Sequence, residues 1–511
     1  MASGILLSRI LGVVRQRALA HYFGIHGAAD AFIAAFRIPN VLQNLFGEGV
    51  LSASFIPVYA RLRAEGREDE ARRVANAVFA ILALVTSLLV LVGVLGAGPL
   101  TRVIAPGFDG PKRDLTVRLV RILFPGSGLL VLSAWCLGVL NSHRRFFLSY
   151  TAPVVWNVAI IAALLGFGSR MEPYPLAEVA AWGSVIGSAL QFGIQLPTVL
   201  RVLGGFRPVL DTTSVHVRTV VRNFIPVFIG RGVVQLSAFA DTIIASLLPE
   251  GAVAALGNAQ VLYTLPVSLF GMAVSAAELP EMSSATGDTA SVGVYLQGRL
   301  NAGLRRIAFF VVPSAAAFLA FGGVIAGAVY QSGRFQRADS EYVWVILAGS
   351  AVGLLASTLG RLYSSTYYAL HDTRTPLRYA MIRVGLTIVL GVLFAIPLPH
   401  LLGIGSRWGA AGLTASAGIA GWVEFFLLRR TLNRRLGDTG LETAYQIRLW
   451  AAALLGAVFG LGVERLLPAV HPIVEALFVL GAFGGVYLAV TLLLRVPEAR
   501  ALLARAGRGG R

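Results

Sequence analysis

Six ionisable side chains occupy positions where a helix embedded in hydrocarbon should have none. Arg9, Arg15, Arg17, Asp30, Arg37 and Glu48 fall within the first two of some fourteen apolar stretches, each long enough to cross a bilayer. A charge at mid-bilayer costs at least about 2.5 kcal/mol even on the lenient insertion scale, so these side chains are expected to line a polar cavity. A guanidinium presents a planar fork of donors that pairs with anionic groups. Arginine outnumbers acid four to two in these two stretches, so the chemistry indicated is recognition of an anion inside the membrane. No paired-carboxylate, Ser/His/Asp or Cys/His arrangement stands clear of the loops. The residues therefore read as those of a transporter rather than an enzyme.

Composition sets the class. The chain has 511 residues, 56% hydrophobic and 13% charged, with a mean hydropathy of +0.74, whereas about a quarter of a soluble domain is charged. It is expected to be an all-α polytopic membrane protein. The net charge of +18 is spread over short arginine clusters between apolar runs, which argues against a nucleic-acid partner. Lys112 is the sole lysine, so there is no Gly-Lys-Ser/Thr phosphate loop for a nucleotide-driven motor. A lone cysteine, Cys136, excludes an internal disulfide, and seven scattered histidines give no metal-ligand spacing. No metal and no cofactor is expected, and the first apolar run, carrying three arginines, does not read as a cleavable signal.

Periodicity and loop signals place helices at 4–24, 28–59, 75–98, 117–140, 149–168, 174–199, 219–248, 252–283, 302–329, 342–369, 377–397, 408–429, 448–467 and 472–494. Connections after even-numbered helices are arginine-rich, from Arg61, Arg63 and Arg67 to Arg429, Arg430 and Arg434, and a tail ending in Arg505, Arg508 and Arg511 is basic too. The loop with Arg102, Lys112 and Arg113 breaks this alternation. By the positive-inside rule both termini are cytoplasmic.

A repeat runs at a spacing of 227 residues, from Pro39 to Pro266. Arg37-Ile38-Pro39, Leu45-Phe46-Gly47 and Ile56-Pro57 are echoed by Thr264-Leu265-Pro266, Leu269-Phe270-Gly271 and Leu279-Pro280. The second copy is four residues shorter between its prolines, about one helical turn, which keeps the facing of the second proline. An even offset of six helices makes the repeat parallel, with two lobes able to alternate access by rocking. The expected organisation is an N-lobe over 1–215, a C-lobe over 216–440, and helices 13 and 14 with the basic cytoplasmic tail over 441–511.

These residues carry a family resemblance. Ser8-Arg9-Ile10-Leu11-Gly12-Val13-Val14-Arg15, Ala29-Asp30-Ala31-Phe32, Phe36-Arg37-Ile38-Pro39-Asn40, and Phe46-Gly47-Glu48-Gly49 with Phe55-Ile56-Pro57 resemble the N-terminal signature of the MurJ (MviN) lipid II flippases, within the multidrug/oligosaccharidyl-lipid/polysaccharide exporter superfamily. The likeness continues through Ala105-Pro106-Gly107-Phe108, Gly138-Val139-Leu140-Asn141, Gly333-Arg334-Phe335 and Asp372-Thr373-Arg374-Thr375-Pro376. It implies fourteen helices, a central cavity with a groove for a lipid tail beside helices 13 and 14, and movement of lipid II from the inner to the outer leaflet of the bacterial cytoplasmic membrane. That role belongs to peptidoglycan biosynthesis and cell shape.

The resemblance also implies residue roles. Arg9 and Arg15 match the cavity arginines of helix 1, Asp30 the helix-2 acid, Glu48 the Glu-Gly position, and Arg361 a basic position in helix 10. Departures are Gln16 for an acid, Gln43-Asn44 for a basic pair, and Val261 for an arginine; Arg37 and Arg231 are expected to restore the missing positive charge. The expected partners are the membrane, lipid II and proteins of cell-wall synthesis, with the chain acting as a monomer. Two other cargoes stand beside lipid II: another polyprenyl-pyrophosphate saccharide, or the cationic drugs of a cation-coupled exporter. A proton, sodium or the membrane potential are alternative energy sources, with Asp30, Asp241 and Glu278 as ion-responsive candidates.

Overall fold

The computed structural model describes residues 2–211, 213–284 and 289–508, so Arg511 of the basic tail lies outside the described residues. Its regular structure is helical, with one isolated antiparallel bridge between Ser332 and Phe335. Contacts divide it into two compact units: Met1–Ala254 with Ser332–Phe335, and Ala255–Gln331 with Gln336–Arg511.

The first unit holds α1 (Ala2–Phe23), α2 (Gly27–Phe46), α3 (Glu48–Ser54), α4 (Ile56–Ala64), α5 (Glu68–Leu95), α6 (Ala97–Ile104), α7 (Gly110–Ser142), α8 (Phe146–Phe167), α9 (Pro173–Leu203) and α10 (Val215–Ser246). α7 is its axis. It packs on α2, α5 and α9, and the fully buried Trp135 donates its indole N–H to the Ala75 carbonyl of α5 at 3.1 Å. On α5 the apolar residues Leu84, Leu88, Leu91 and Leu95 are exposed, at a spacing that makes one face of a helix. Such a stripe suits lipid rather than water.

The sequence reads 28–59 as one helix, and the chain breaks it twice. Gly47 is extended (φ −81°, ψ −159°) between α2 and α3, and Pro57 stands in the first turn of α4, where its missing N–H is harmless. The Gly333-Arg334-Phe335 motif closes the other end of α1, with the Arg334 amide donating to the His21 carbonyl at 2.8 Å. Last carbonyls of a helix have no partner within it, so this loop caps α1 from outside.

The second unit begins one turn into α11 (Ala252–Pro266). It continues through a π-helical turn (Val267–Met272), α12 (Ala273–Ser283), α13 (Thr289–Tyr330), α14 (Arg337–Ala369), α15 (Arg374–Ala395), α16 (Pro397–Leu401), α17 (Gly409–Leu436), α18 (Thr443–Leu466), α19 (Pro472–Leu493) and α20 (Pro497–Arg508). The π turn lies between Pro266 and Pro280, so each sequence repeat interrupts its helix between paired prolines in its own way. α14 is the axis here, crossed closely by α17: a Cβ on Gly353 would collide with the Gly418 backbone. Small residues at such a crossing let helices approach where lipid gives no hydrophobic drive.

Among the described residues eleven helices are long and apolar enough to cross a membrane. Of the fourteen stretches read from sequence, the other three are those of α1, α2 with its continuation, and α10. α1–α3 carry Arg9, Arg15, Arg17, Asp30, Arg37 and Glu48, and α10 carries Arg231 and Asp241. All three belong to the first unit, although the repeat counts α10 with the second lobe.

Gly353→Val should lower the thermal midpoint in detergent, since forcing a branched side chain into this crossing costs about 1–3 kcal/mol. Gly360→Ala, where nothing lies within 4 Å of the added Cβ, should not lower it.

Candidate functional site

The charged side chains of α1–α3 are placed by two packing events: α1 lies on α8, and α10 lies along α2 and α3. The second is an antiparallel pairing with polar contacts at three levels. At the first, Asp30 is 1% exposed and its carboxylate accepts from the amides of Gly251 and Ala254, both at 2.8 Å. These amides belong to the start of α11, which otherwise has no acceptor for them, so Asp30 serves as its N-cap from another helix. Glu250 returns the arrangement by accepting from the Gly27 amide at the start of α2. Lys112 stands 3.8 Å from the Asp30 carboxylate and 4.4 Å from the Phe108 ring centroid. The basic loop that broke the alternation thus supplies the counter-charge for a buried acid.

At the second level Arg37 donates to the Thr242 hydroxyl of α10 at 2.6 Å, with Asp241 within electrostatic reach. At the third, the Arg231 guanidinium lies against Gly49, where an added Cβ would strike it, and acts on the Glu48 carboxylate beside it. Phe46 packs beyond the third level, its ring 5.5 Å from Phe224 and 5.3 Å from Phe228.

Arg15 is held differently. Its guanidinium carbon lies 4.8 Å from the Trp156 ring centroid of α8 and 5.9 Å from that of Phe36 on α2. Its Nε is buried without a hydrogen-bond partner, and among the described residues no carboxylate pairs with it. A cavity of about 10 Å³, lined by Phe36, Asn40, Gln43, Ser127 and Trp156 among others, lies alongside; that is room for about one water. Arg9 is on the exposed side of α1.

In the second unit Arg361 is exposed on α14 and shares its surroundings with Arg383, Tyr263 and Glu424. Arg383 donates to Glu424 at 3.1 Å. Glu278, 3% exposed, is bound by Arg299 at 2.8 Å and Arg306 at 3.2 Å. In the turn before α15, outside the membrane-spanning helices, the Thr375 amide and hydroxyl and Arg435 hold the Asp372 carboxyl below the usual carboxylate range. The Asp-Thr-Arg-Thr-Pro motif is therefore a helix-entry device.

The sequence profile described as "Lipid II flippase MurJ" matches residues 19–483. The chain is 32% identical over 436 residues to the lipid II flippase MurJ of Burkholderia cenocepacia, covering 84% of this chain and 82% of that one. It belongs to the MurJ family. A probable lipid II flippase MurJ of Rhizobium meliloti is likewise 32% identical, over 473 residues, covering 90% of this chain and 85% of its own. Among solved structures, a lipid II flippase MurJ in an inward closed conformation superposes with a TM-score of 0.80 at 22% identity, over 97% of this chain and 98% of that one. An inward-facing multidrug resistance MATE transporter of the MOP superfamily gives 0.64 at 16% identity, over 83% and 95%. Both matches concern the fold.

Of the candidate site residues, Arg15, Asp30, Arg37, Glu48 and Arg231 lie in one unit, but Asp30 and Glu48 are eighteen residues apart along the chain. Asp30, Arg37 and Glu48 follow one another along α2 and α3 and meet the start of α11, Thr242 and Arg231 in turn, whereas Arg15 meets α8. Trp156, Lys112, Glu250 and Thr242 were not singled out from sequence, being 141, 82, 220 and 205 residues from Arg15, Asp30, Asp30 and Arg37 respectively. The unusual position of the sole lysine was the one available signal.

Asp30→Ala would strip two buried amides of their acceptor and Lys112 of its counter-ion, at a cost of roughly 2–4 kcal/mol. A clear fall in thermal midpoint is expected, whereas Glu48→Ala, at an exposed position, should fall by less than about 1 kcal/mol.

Proposed function

We propose that this chain is a lipid II flippase of the bacterial cytoplasmic membrane, carrying the pyrophosphate-linked saccharide from the inner to the outer leaflet by alternating access, without covalent chemistry. The observation that carries this reading is Arg15: a desolvated guanidinium in a membrane-spanning helix, held by aromatic faces with no protein anion on it. A buried charge left unpaired is costly, so an anionic ligand gains more here than at a cation already saturated by carboxylates. Membership of the MurJ family supports lipid II as that anion.

The arginine distribution supports cytoplasmic termini, by the positive-inside rule. The anionic head group moving outward descends an inside-negative potential, worth about 2.3 kcal/mol per charge at 100 mV, and a proton or sodium ion taken up at a carboxylate is the other route to the same work. Lipid II is the only partner the cycle needs, and one chain is the working unit.

The test is complementation of a conditional flippase-depleted strain, read by accessibility of lipid II at the outer face. The wild-type chain should restore exposure. Arg15→Lys, which keeps the charge but loses the fork, should lower it at least about tenfold at equal expression. Transport of a different polyprenyl-pyrophosphate saccharide without lipid II would reassign the cargo, and a wild-type rate in Arg15→Lys would remove Arg15 from the mechanism.

A further inference from the structure

A guanidinium has two faces and an edge, and at Arg15 two aromatic rings of the protein gather on one side of it. Trp156 of α8 is 4.8 Å from the guanidinium carbon and Phe36 of α2 is 5.9 Å away. The two rings lie 5.8 Å apart, tilted by 38°, so they form one continuous aromatic cradle. The indole is itself fixed, because its Nε1 donates to the Ser184 hydroxyl of α9 at 3.2 Å, and Ser184 is only 4% exposed. Helices α2, α8 and α9 thus determine the plane in which an arginine of α1 lies.

Such a cradle differs in kind from an ion pair. A ring quadrupole stabilises the cation and fixes its plane, yet brings no counter-charge and no acceptor to the N–H edge. The contrast with Asp30 and Arg37, each bonded by an opposite helix, lies within the same unit. We propose that Trp156 is a positioning residue for the anion site: with Phe36 it holds the Arg15 guanidinium oriented and un-neutralised, so that the N–H edge is free for a lipid-linked pyrophosphate. Ser184 is the outer support that fixes the indole. The inference rests on the lipid-pyrophosphate reading of Arg15, and it adds residues that no charge or motif argument selects.

The test is binding of lipid II and of undecaprenyl pyrophosphate to the full chain in lipid nanodiscs. Wild type, Trp156→Leu, Trp156→Phe, Arg15→Gln and the Arg15→Gln/Trp156→Leu double variant are compared, with the thermal midpoint of each recorded. Trp156→Leu should weaken binding about fivefold or more, and Trp156→Phe, which restores a ring face, should recover to within about threefold of wild type. In the Arg15→Gln background Trp156→Leu should add less than about twofold, since the contact it removes is already gone. Ser184→Ala leaves both members of the contact in place; a loss in the wild-type background that vanishes with Arg15→Gln supports the same chain of action if Trp156→Leu does not fold.

An equal loss from Trp156→Leu with and without Arg15 would make Trp156 a packing residue and overturn the inference. Undiminished binding by Trp156→Leu would do the same. Wild-type binding of undecaprenyl pyrophosphate without lipid II would reject the cargo proposed above while the cycle still decides the role of Trp156. Binding of neither lipid would reject both.

Discussion

Everything in the first unit follows from the cost of showing a charge to hydrocarbon. α1, α2 and α10 carry arginines and acids where hydrocarbon would otherwise surround them, and they belong to the same unit. Between α2–α3 and α10 the solution is an antiparallel seam in which polar groups meet at matching levels: Arg37 with Thr242, and Glu48 with Arg231, eleven residues apart on each strand of the pairing. Asp30 extends it past the end of α10 to the first amides of α11. The seam explains why a helix that the repeat counts with the second half packs on the first.

Within that setting Arg15 stands apart. Asp30 is bonded, capped and countered by a lysine, the chemistry of a structural acid. Arg37 is tied to a hydroxyl with an acid nearby. Arg15 has aromatic faces and a buried Nε that bonds nothing. A protein that needed only to stabilise this helix would gain more from a leucine there. On the function proposed above, the mode of compensation separates the charged side chains that hold the fold from Arg15, which is left to receive a ligand. For a lipid II flippase that ligand would be an anion on a long lipid, and the scarcity of acid around Arg15 favours it over a cationic drug.

The all-helical architecture was legible because spanning helices are written as long apolar runs, and the exceptional helices were legible because arginine is conspicuous in them. The break at Gly47 was not, since a glycine beside Phe46 and Glu48 is compatible with a continuing helix and only the bonding of Glu48's helix to α10 selects the bend. The candidate residues were found by type, but their partners were hidden by distance along the chain. Nothing in the sequence marks Trp156 out within the apolar stretch 149–168, and Lys112 stands out only as an anomaly of loop charge. Both acquire meaning only once α8 meets α1 and the first turn of α7 meets α2. The apparent absence of a family cation at Gln43 is likewise a statement about composition until geometry shows Gln43 and Asn40 lining the small cavity beside Phe36 and Trp156.

The central claim is that α2–α3 and α10 are joined by complementary polar contacts rather than by apolar packing alone. Exchange of charge at Glu48 and Arg231 tests it most directly, with the thermal midpoint of the purified chain in lipid nanodiscs as the readout. Glu48→Arg and Arg231→Glu should each lower the midpoint by placing like charges together, and the double exchange should recover most of the loss. A double variant as unstable as the sum of its parts would contradict the seam and leave the placement of α10 without its proposed cause.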